Sequence, residues 1–448
     1  VQKMRISNFL RRIHGSLFIL NCLPGQKRTH FMPRKKLEDL RDARLQEIIE
    51  YATTTVPYYQ EFFRANGLSY KDFSKVEDLG LLPIINKSAI VKNPCHFVST
   101  SKAGRESVQF QTSGTTGERV SVWLDRRYLL SQAAVGVREK AVIGEFLGKE
   151  LKFKTLYINY PECTPAEIWR FYNEAAFTPI GTNRRLISIS ESFENIVKAM
   201  NEYRPDVLVS YGSYLDLFFR FLEQEKLKCW LPGLVRFGAD SLSVVGRNRI
   251  ESDFGIPVLS NYGTVECFKI GFECGRRPGF HLHEDLCHLR ILNSRGEDAI
   301  PGEKGEVLIS NLTNRGTVLL NYRLGDLAAL SCEPCSCGRT SYLLSELEGR
   351  VEDVILLEDG RSVHPRSIWS VFKQEPGVQQ YQLTQLSHTE FDLKLVTQDV
   401  VSFNEVNPMI EERLKSLLGH QVRIVSNYTK EIRREKSGKF RYVVSKVT

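Results

Sequence analysis

No stretch of this 448-residue chain reaches the run of about 20 apolar residues that a membrane-spanning helix needs. Internal repeats and low-complexity tracts are also missing, which sets aside repeat architectures and disordered tails. Acidic residues are missing from the first 36 positions, which hold Lys3, Arg5, Arg11, Arg12, Lys27, Arg28, Arg34, Lys35 and Lys36. The formal net charge is +8, so this arm carries the whole excess and the rest of the chain is nearly neutral. A basic arm on a neutral body argues against nucleic acid as the partner. Within the arm, FLRRIHGSLFILNCLPG is basic and then apolar, but Asn21 interrupts it and no small-residue cleavage site follows. It is expected to be an amphipathic surface helix packed on its own protein, with peripheral contact to an anionic membrane as the other option. A cytoplasmic location is expected.

Composition is that of a soluble globular protein, 42% hydrophobic and 25% charged, and the length calls for two or three domains. Residues 37–66 show helical spacing broken at Pro57 and ended by Asn66-Gly67. KTLYINY, RLISIS and DVLVSYG alternate with helical patterns near 165–176 and 191–202, which predicts α/β order and a largely parallel sheet. From about 285 to 348 short strands with Gly and Asn turns predict a β-rich subdomain. Beyond it the pattern is a compact α+β unit, with helices near 365–374 and 404–418 and a basic, glycine-broken final stretch read as loop. The division expected is an arm at 1–36, a large domain at 37–348 and a small one at 349–448.

QTSGTTGERV, residues 111–120, joins two alternating runs, SVQFQ and VSVWLD. Converging backbone N–H groups in such a Gly/Ser/Thr turn can hold an anion, because glycine lets the chain approach phosphate oxygens closely. The lysine of the GxxxxGK[ST] phosphate loop is absent, and taken alone SGTTG is more often a surface turn than an active site.

Four further stretches accompany it in order: NYGTVE (261–266), YRLGD (322–326), GRVEDVI (349–355) and KSGKFR (436–441). With TSGTTGE they resemble the motifs of the adenylate-forming acyl-CoA synthetase superfamily, in its phenylacetate–CoA ligase-like branch with relatives from capsule-polysaccharide clusters. The resemblance covers roughly residues 37–448. It implies ATP-dependent activation of a carboxylic acid to an acyl-adenylate, with Mg²⁺, and transfer to a thiol, CoA foremost. A carrier-protein thiol or an amine as acceptor stays open, as does a nucleotide-binding scaffold without chemistry.

Residue by residue, the resemblance implies that Thr112, Ser113, Gly114, Thr115, Thr116 and Gly117 grip the phosphates. Gly238, Ala239, Asp240, Asn261, Tyr262 and Gly263 would enclose the adenine, and Asp326 with Arg350 the ribose. Thr264 and Glu266 would serve catalysis, Glu266 through Mg²⁺, and Asp353 would be the hinge. Lys439 is the cation that would join α-phosphate and carboxylate once the small domain closes. Tyr157, Tyr160, Tyr211, Gly212 and Ser213 are candidates for the acyl pocket. The branch's glycine-rich aromatic segment is not found there, which leaves the acid unnamed.

The ten cysteines cluster late in the chain. FECGRRPGFHLHED and CEPCSCGR supply Cys274, His281, Cys335 and Cys337, a Cys₃His set suited to structural Zn²⁺. Some relatives carry matching residues. Cys332, His283 and Cys287 are possible substitutes, and a reduced cluster without metal is the plain alternative. Oligomeric state is open, a dimer included.

Overall fold

Pro57 divides the first long helical pattern, as its missing N–H requires. One helix covers Arg34–Thr55, and the next starts at Pro57 and ends at Asn66, where Gly67 turns the chain at φ 63°. The computed structural model describes residues 2–111, 120–149, 152–161, 163–177, 183–350, 355–359, 361–363, 365–372, 375, 377–433 and 440–447.

Strands β1 (Val108–Gln111) and β2 (Ser121–Leu124) pair antiparallel, with Gln111 opposite Ser121. The Gly/Ser/Thr loop therefore links two strands, as its flanks predicted, although residues 112–119 lie outside the described set. Next comes a parallel block: β3 (Thr155–Asn159), β4 (Arg184–Ser188), β5 (Val207–Ser210), β6 (Leu234–Phe237) and β7 (Val258–Tyr262). Their order in space is β4-β3-β5-β6-β7, with helices Thr164–Ala175, Phe193–Tyr203 and Gly212–Glu225 as crossovers. Chain direction then alternates through β8 (Gly271–Glu273), β9 (Phe280–Leu282), β10 (Cys287–Leu292), β11 (Gly305–Asn311), β12 (Tyr322–Leu330) and β13 (Leu343–Arg350).

All of these except β1 and β2 belong to one 11-stranded sheet, ordered β10-β11-β12-β13-β9-β8-β7-β6-β5-β3-β4. The β-rich region after residue 285 is thus continuous with the parallel block. The joint is β13 against β9, with Leu343 opposite His281 and Leu344 opposite Phe280.

The carboxyl-terminal part has its own sheets. β14 (Ile355–Leu356) and β15 (Ser362–Val363) form a short pair. β16 (Gln380–Gln385), β17 (Glu390–Val396), β18 (Arg423–Tyr428) and β19 (Val443–Ser445) follow in the order β18-β17-β16-β19. Helices Pro365–Phe372 and Val400–Leu418 complete a separate core with Ile368, Leu383, Leu393, Leu395, Ile410 and Leu414. The final stretch read as loop supplies β19, which pairs parallel to β16.

The basic arm does pack on the body. Its helix, Gln2–Cys22, lies against helix Arg126–Leu147, and a Cβ at Gly15 would come within 2.0 Å of the Ala175 carbonyl oxygen, so only glycine permits this approach. Behind the helix, buried charge fastens the chain. Arg138 donates twice to Asp285, at 2.7 Å each, and Arg34 twice to Glu284, at 2.7 Å each. Burial alone would raise the Asp285 carboxyl; the Arg138 and Arg44 guanidiniums hold it well below the usual carboxylate range.

Candidate active site

Parallel strands leave their carboxyl ends in a row, and open α/β sheets bind ligands there. Tyr160 follows β3, Tyr211-Gly212-Ser213 follows β5, Gly238-Ala239-Asp240 follows β6, and Asn261-Tyr262 ends β7. Sheet order makes β5, β6 and β7 neighbours, so three of the expected segments lie side by side. The packing between them is close. A Cβ on Gly238 would lie 3.2 Å from Asn261 Oδ1, and one on Gly212 would lie 2.5 Å from the Leu242 nitrogen. Ala239 takes φ 68°, a left-handed turn that a small residue tolerates better than a bulky one.

Asp240 has a structural engagement. The Ser213 hydroxyl donates to its Oδ2, and the Ser213 N–H, in the first turn of helix Gly212–Glu225, donates to its Oδ1 at 3.3 Å. Tyr211 is buried in the core beneath the parallel strands, and Tyr160 packs against that core. Tyr157 packs edge-on to Trp169 with ring centroids 4.6 Å apart.

The 261–268 segment folds tightly on itself. Thr264 N–H donates to the Cys267 carbonyl at 3.0 Å, and Cys267 N–H donates to Thr264 Oγ1 at 3.2 Å. At Gly263 a Cβ would meet the Phe268 carbonyl oxygen at 2.2 Å, so the turn needs glycine. Glu266 is buried, with the Tyr322 hydroxyl donating to its Oε1 at 3.4 Å and Asn311 Nδ2 to its carbonyl at 3.0 Å. The hairpin that flanks the Gly/Ser/Thr loop reaches this turn, because Phe110, next to last in β1, packs edge-on to Phe268 with centroids 5.5 Å apart.

The distant YRLGD stretch joins the same place. The Tyr262 hydroxyl donates to Asp326 Oδ2 at 2.7 Å. Burial, and then the Asp326 charge, push the Tyr262 hydroxyl well above its ordinary value, so it stays a donor. Their strands, β7 and β12, stand four places apart in the sheet, about 19 Å if it were flat. The contact therefore requires a strongly curled sheet. Gly325 at φ 79° and a register shift between Asp326 and Leu327 kink β12 and re-aim Asp326. Arg350 is opposite Asp326 in the ladder. Tyr322 and Phe268 were given no role from sequence, since only the folded chain shows what they touch. Thr112–Gly117, Asp353, Lys439 and the Arg350 side chain lie outside the described residues.

The second site is the cysteine cluster. Donor atoms of Cys274, His281, Cys335 and Cys337 all lie within 4.8 Å of one another, at the joint of β8, β9 and the turn before β13. Cys274 Sγ is 3.6 Å from Cys335 Sγ, and Cys337 Sγ is 3.3 Å from His281 Nε2. Tetrahedral Zn²⁺ with Zn–S near 2.3 Å sets sulfurs about 3.7 Å apart, so the donors fit that ion. Burial and the Arg339 charge lower His281 to about 4, which leaves the imidazole neutral and able to ligate. His281 Nδ1 lies 3.5 Å from Ser341 Oγ, the kind of contact that orients a ligating ring. The three substitutes are elsewhere: Cys332 is exposed, His283 hydrogen-bonds His30 through Nδ1 at 3.0 Å, and Cys287 Sγ points to the His283 and Lys269 carbonyls.

The CapK C-terminal domain family matches residues 355–446. A phenylacetate-coenzyme A ligase of Thermus thermophilus is 26% identical over 78% of this chain and 77% of its own length. Protein CapK of Staphylococcus aureus is 21% identical over 92% of this chain and 90% of its own. Among solved structures, 2-hydroxyisobutyryl-CoA ligase in the postadenylation state superposes with a TM-score of 0.76 at 16% identity, covering 93% of this chain and 91% of that one. The same ligase with 2-HIB-AMP and CoA in the thioesterification state gives 0.58 over 94% and 92%, at 17% identity. The fold is thus that of the adenylate-forming CoA ligases. The chain is similar along most of its length to phenylacetate-coenzyme A ligases and to CapK.

Proposed function

We propose that the protein joins a carboxylic acid to the α-phosphate of ATP, releasing pyrophosphate, and then transfers the acyl group from the adenylate to the thiol of CoA, releasing AMP. The observation that carries this is the Tyr262–Asp326 hydrogen bond, which brings NYGTVE and YRLGD together beside the ends of β5, β6 and β7. A carboxylate braced in this way suits the two hydroxyls of a ribose. Gly238–Asp240 and Asn261–Gly263 form the adenine wall, and 112–117 hold the phosphates.

Carboxylate oxygen attacking phosphorus gathers negative charge, so fixed donors and cations lower the barrier. Glu266, steadied by Tyr322, is the carboxylate that would hold Mg²⁺, which neutralises phosphate charge when bound. Lys439 draws the acid and the α-phosphate together. It belongs to the 349–448 unit, which turns about Asp353 between the two half-reactions. The better match to a postadenylation structure than to a thioesterification one, at similar coverage, supports a fold with more than one arrangement of its parts. The acyl group would lie beside Tyr157, Tyr160, Gly212 and Ser213, with the Tyr211 ring in the core below. Cys274, His281, Cys335 and Cys337 hold Zn²⁺, which ties β8 and β9 to the 335–341 turn and takes no part in catalysis. The pools of ATP and CoA put the reaction in the cytoplasm.

The test is pyrophosphate and AMP release from ATP and Mg²⁺ across a panel of carboxylic acids, with CoA, a carrier-protein thiol or an amine as acceptor. The expected result is acid-dependent pyrophosphate release matched by loss of the CoA thiol. Faster turnover with an amine or a carrier protein would replace the acceptor. Tight ATP binding with no acid releasing pyrophosphate would leave only a nucleotide-binding scaffold.

A further inference from the structure

The two sides of the amino-terminal helix differ. Arg12, Gly15, Ser16 and Ile19 form the inner stripe. Arg12 donates to the Ala176 carbonyl at 3.3 Å, Ser16 Oγ accepts from Phe177 N–H at 2.7 Å, and Ile19 is buried. Leu10, Ile13, Leu17 and Leu20 form the outer stripe, at the three- and four-residue steps that align one face of a helix. Docking on the body gives no reason for these four to be apolar, yet Leu10 and Leu17 are 59% and 61% exposed. Phe9 and Phe177, whose rings meet at 5.4 Å and are also exposed, extend the stripe onto the body. A contiguous apolar strip of this kind marks a surface that something covers.

We propose that this outer face docks on an anionic lipid surface, the helix lying in the membrane plane. Charge selects the occupant. Residues 1–36 hold nine cations and no acid, and Arg11, within the helix, and Lys27, Arg28, Lys35 and Lys36, soon after it in the chain, are exposed. Each Lys or Arg near an anionic leaflet strengthens binding by roughly fivefold. A second copy of the chain would instead set one basic arm against another, which disfavours self-association through this face. Among the described residues no helix is long and apolar enough to cross a membrane, so the helix rests at the interface, where leucine and phenylalanine enter the acyl boundary and basic side chains reach the headgroups. This inference is independent of the reaction proposed above.

The experiment is co-sedimentation of the full chain with sucrose-loaded vesicles, either phosphatidylcholine alone or with about 30% phosphatidylglycerol. Binding is expected to the anionic vesicles and not the neutral ones, and to fall steeply by about 0.5 M salt. The Leu10→Ser/Leu17→Ser variant is expected to bind at least about tenfold more weakly with an unchanged melting temperature, since both side chains are exposed. Lys27→Glu/Arg28→Glu is expected to lose binding at low salt. Failure to bind anionic vesicles, or equal binding by both variants, would overturn the proposal. So would a concentration-dependent dimer that Leu10→Ser/Leu17→Ser dissolves, which would assign the stripe to a second copy.

Discussion

The 11-stranded sheet and the four-stranded carboxyl-terminal sheet are built for different work. Every described residue of the candidate active site stands on the first, fixed by glycines that admit no side chain and by hydrogen bonds between distant strands. The second has its own hydrophobic core and contributes the stretch that ends at Phe440, which is buried with Val396 and Ile432. Phe440, the next residue after Lys439 in sequence, thus belongs to the small unit. On the proposed function, nucleotide recognition is preformed in the large sheet, whereas a cation that acts in one half-reaction and leaves for the next belongs on a part that can turn.

The strongest way to separate the two units is acid. His283 and His30 are buried in the large one, and burial keeps both rings neutral, helped by Arg138 at His283, which is held down to about 3, and by His283 and then Arg138 at His30. Below the ordinary 6.5 the unfolded chain takes up protons that the folded chain refuses, so stability falls as pH drops from there toward 3. The slope is about 1.4 kcal/mol per pH unit for each histidine. His388 and His420, in the small unit, are exposed. Hydrogen exchange by peptide, read across the acid range, should show 281–285 opening before 380–396. Simultaneous opening would erase the distinction.

Two substitutions are expected to act next most strongly, each on the large sheet alone. Gly263→Ala forces a Cβ onto the Phe268 carbonyl and should destabilise by about 2–3 kcal/mol, seen as a lower melting temperature of the large unit. Asp326→Ala should weaken ATP binding by about 10–100-fold in calorimetry, the range for hydrogen bonds to a charged group. Cys274→Ser should lower bound zinc below one ion per chain and loosen the β8–β9 joint without altering exchange in the small unit. Tyr322→Phe removes one long hydrogen bond to Glu266, and should slow pyrophosphate release by no more than about fivefold.

How much the sequence reveals depends on the range of the interaction. Pro57, the two alternating runs on either side of 112–119, and the β3–β7 crossover pattern are local signals, and each appears where its residues indicate. The continuous sheet was not legible, because β8 and β9 have three residues each, too few to show alternation. No local signal marks β19 as a strand, because it follows a basic, glycine-broken stretch and its pairing partner β16 is far away in sequence. The helix expected near 404 begins at Val400, where Asp399 accepts from the Ser402 N–H at 2.8 Å. In the site, the motifs mark which residues take part, but the Tyr262–Asp326 and Tyr322–Glu266 contacts depend on the curl of the sheet, which no short pattern encodes.

ATP–pyrophosphate exchange and ATP affinity, measured side by side in the natural chain and in Lys439→Ala, test the division of labour most directly. Exchange should fall by about 10²–10³-fold while affinity changes by less than about threefold. Exchange that survives the substitution, or affinity that collapses with it, would contradict the assignment of binding to the large sheet and adenylation to the small unit's lysine.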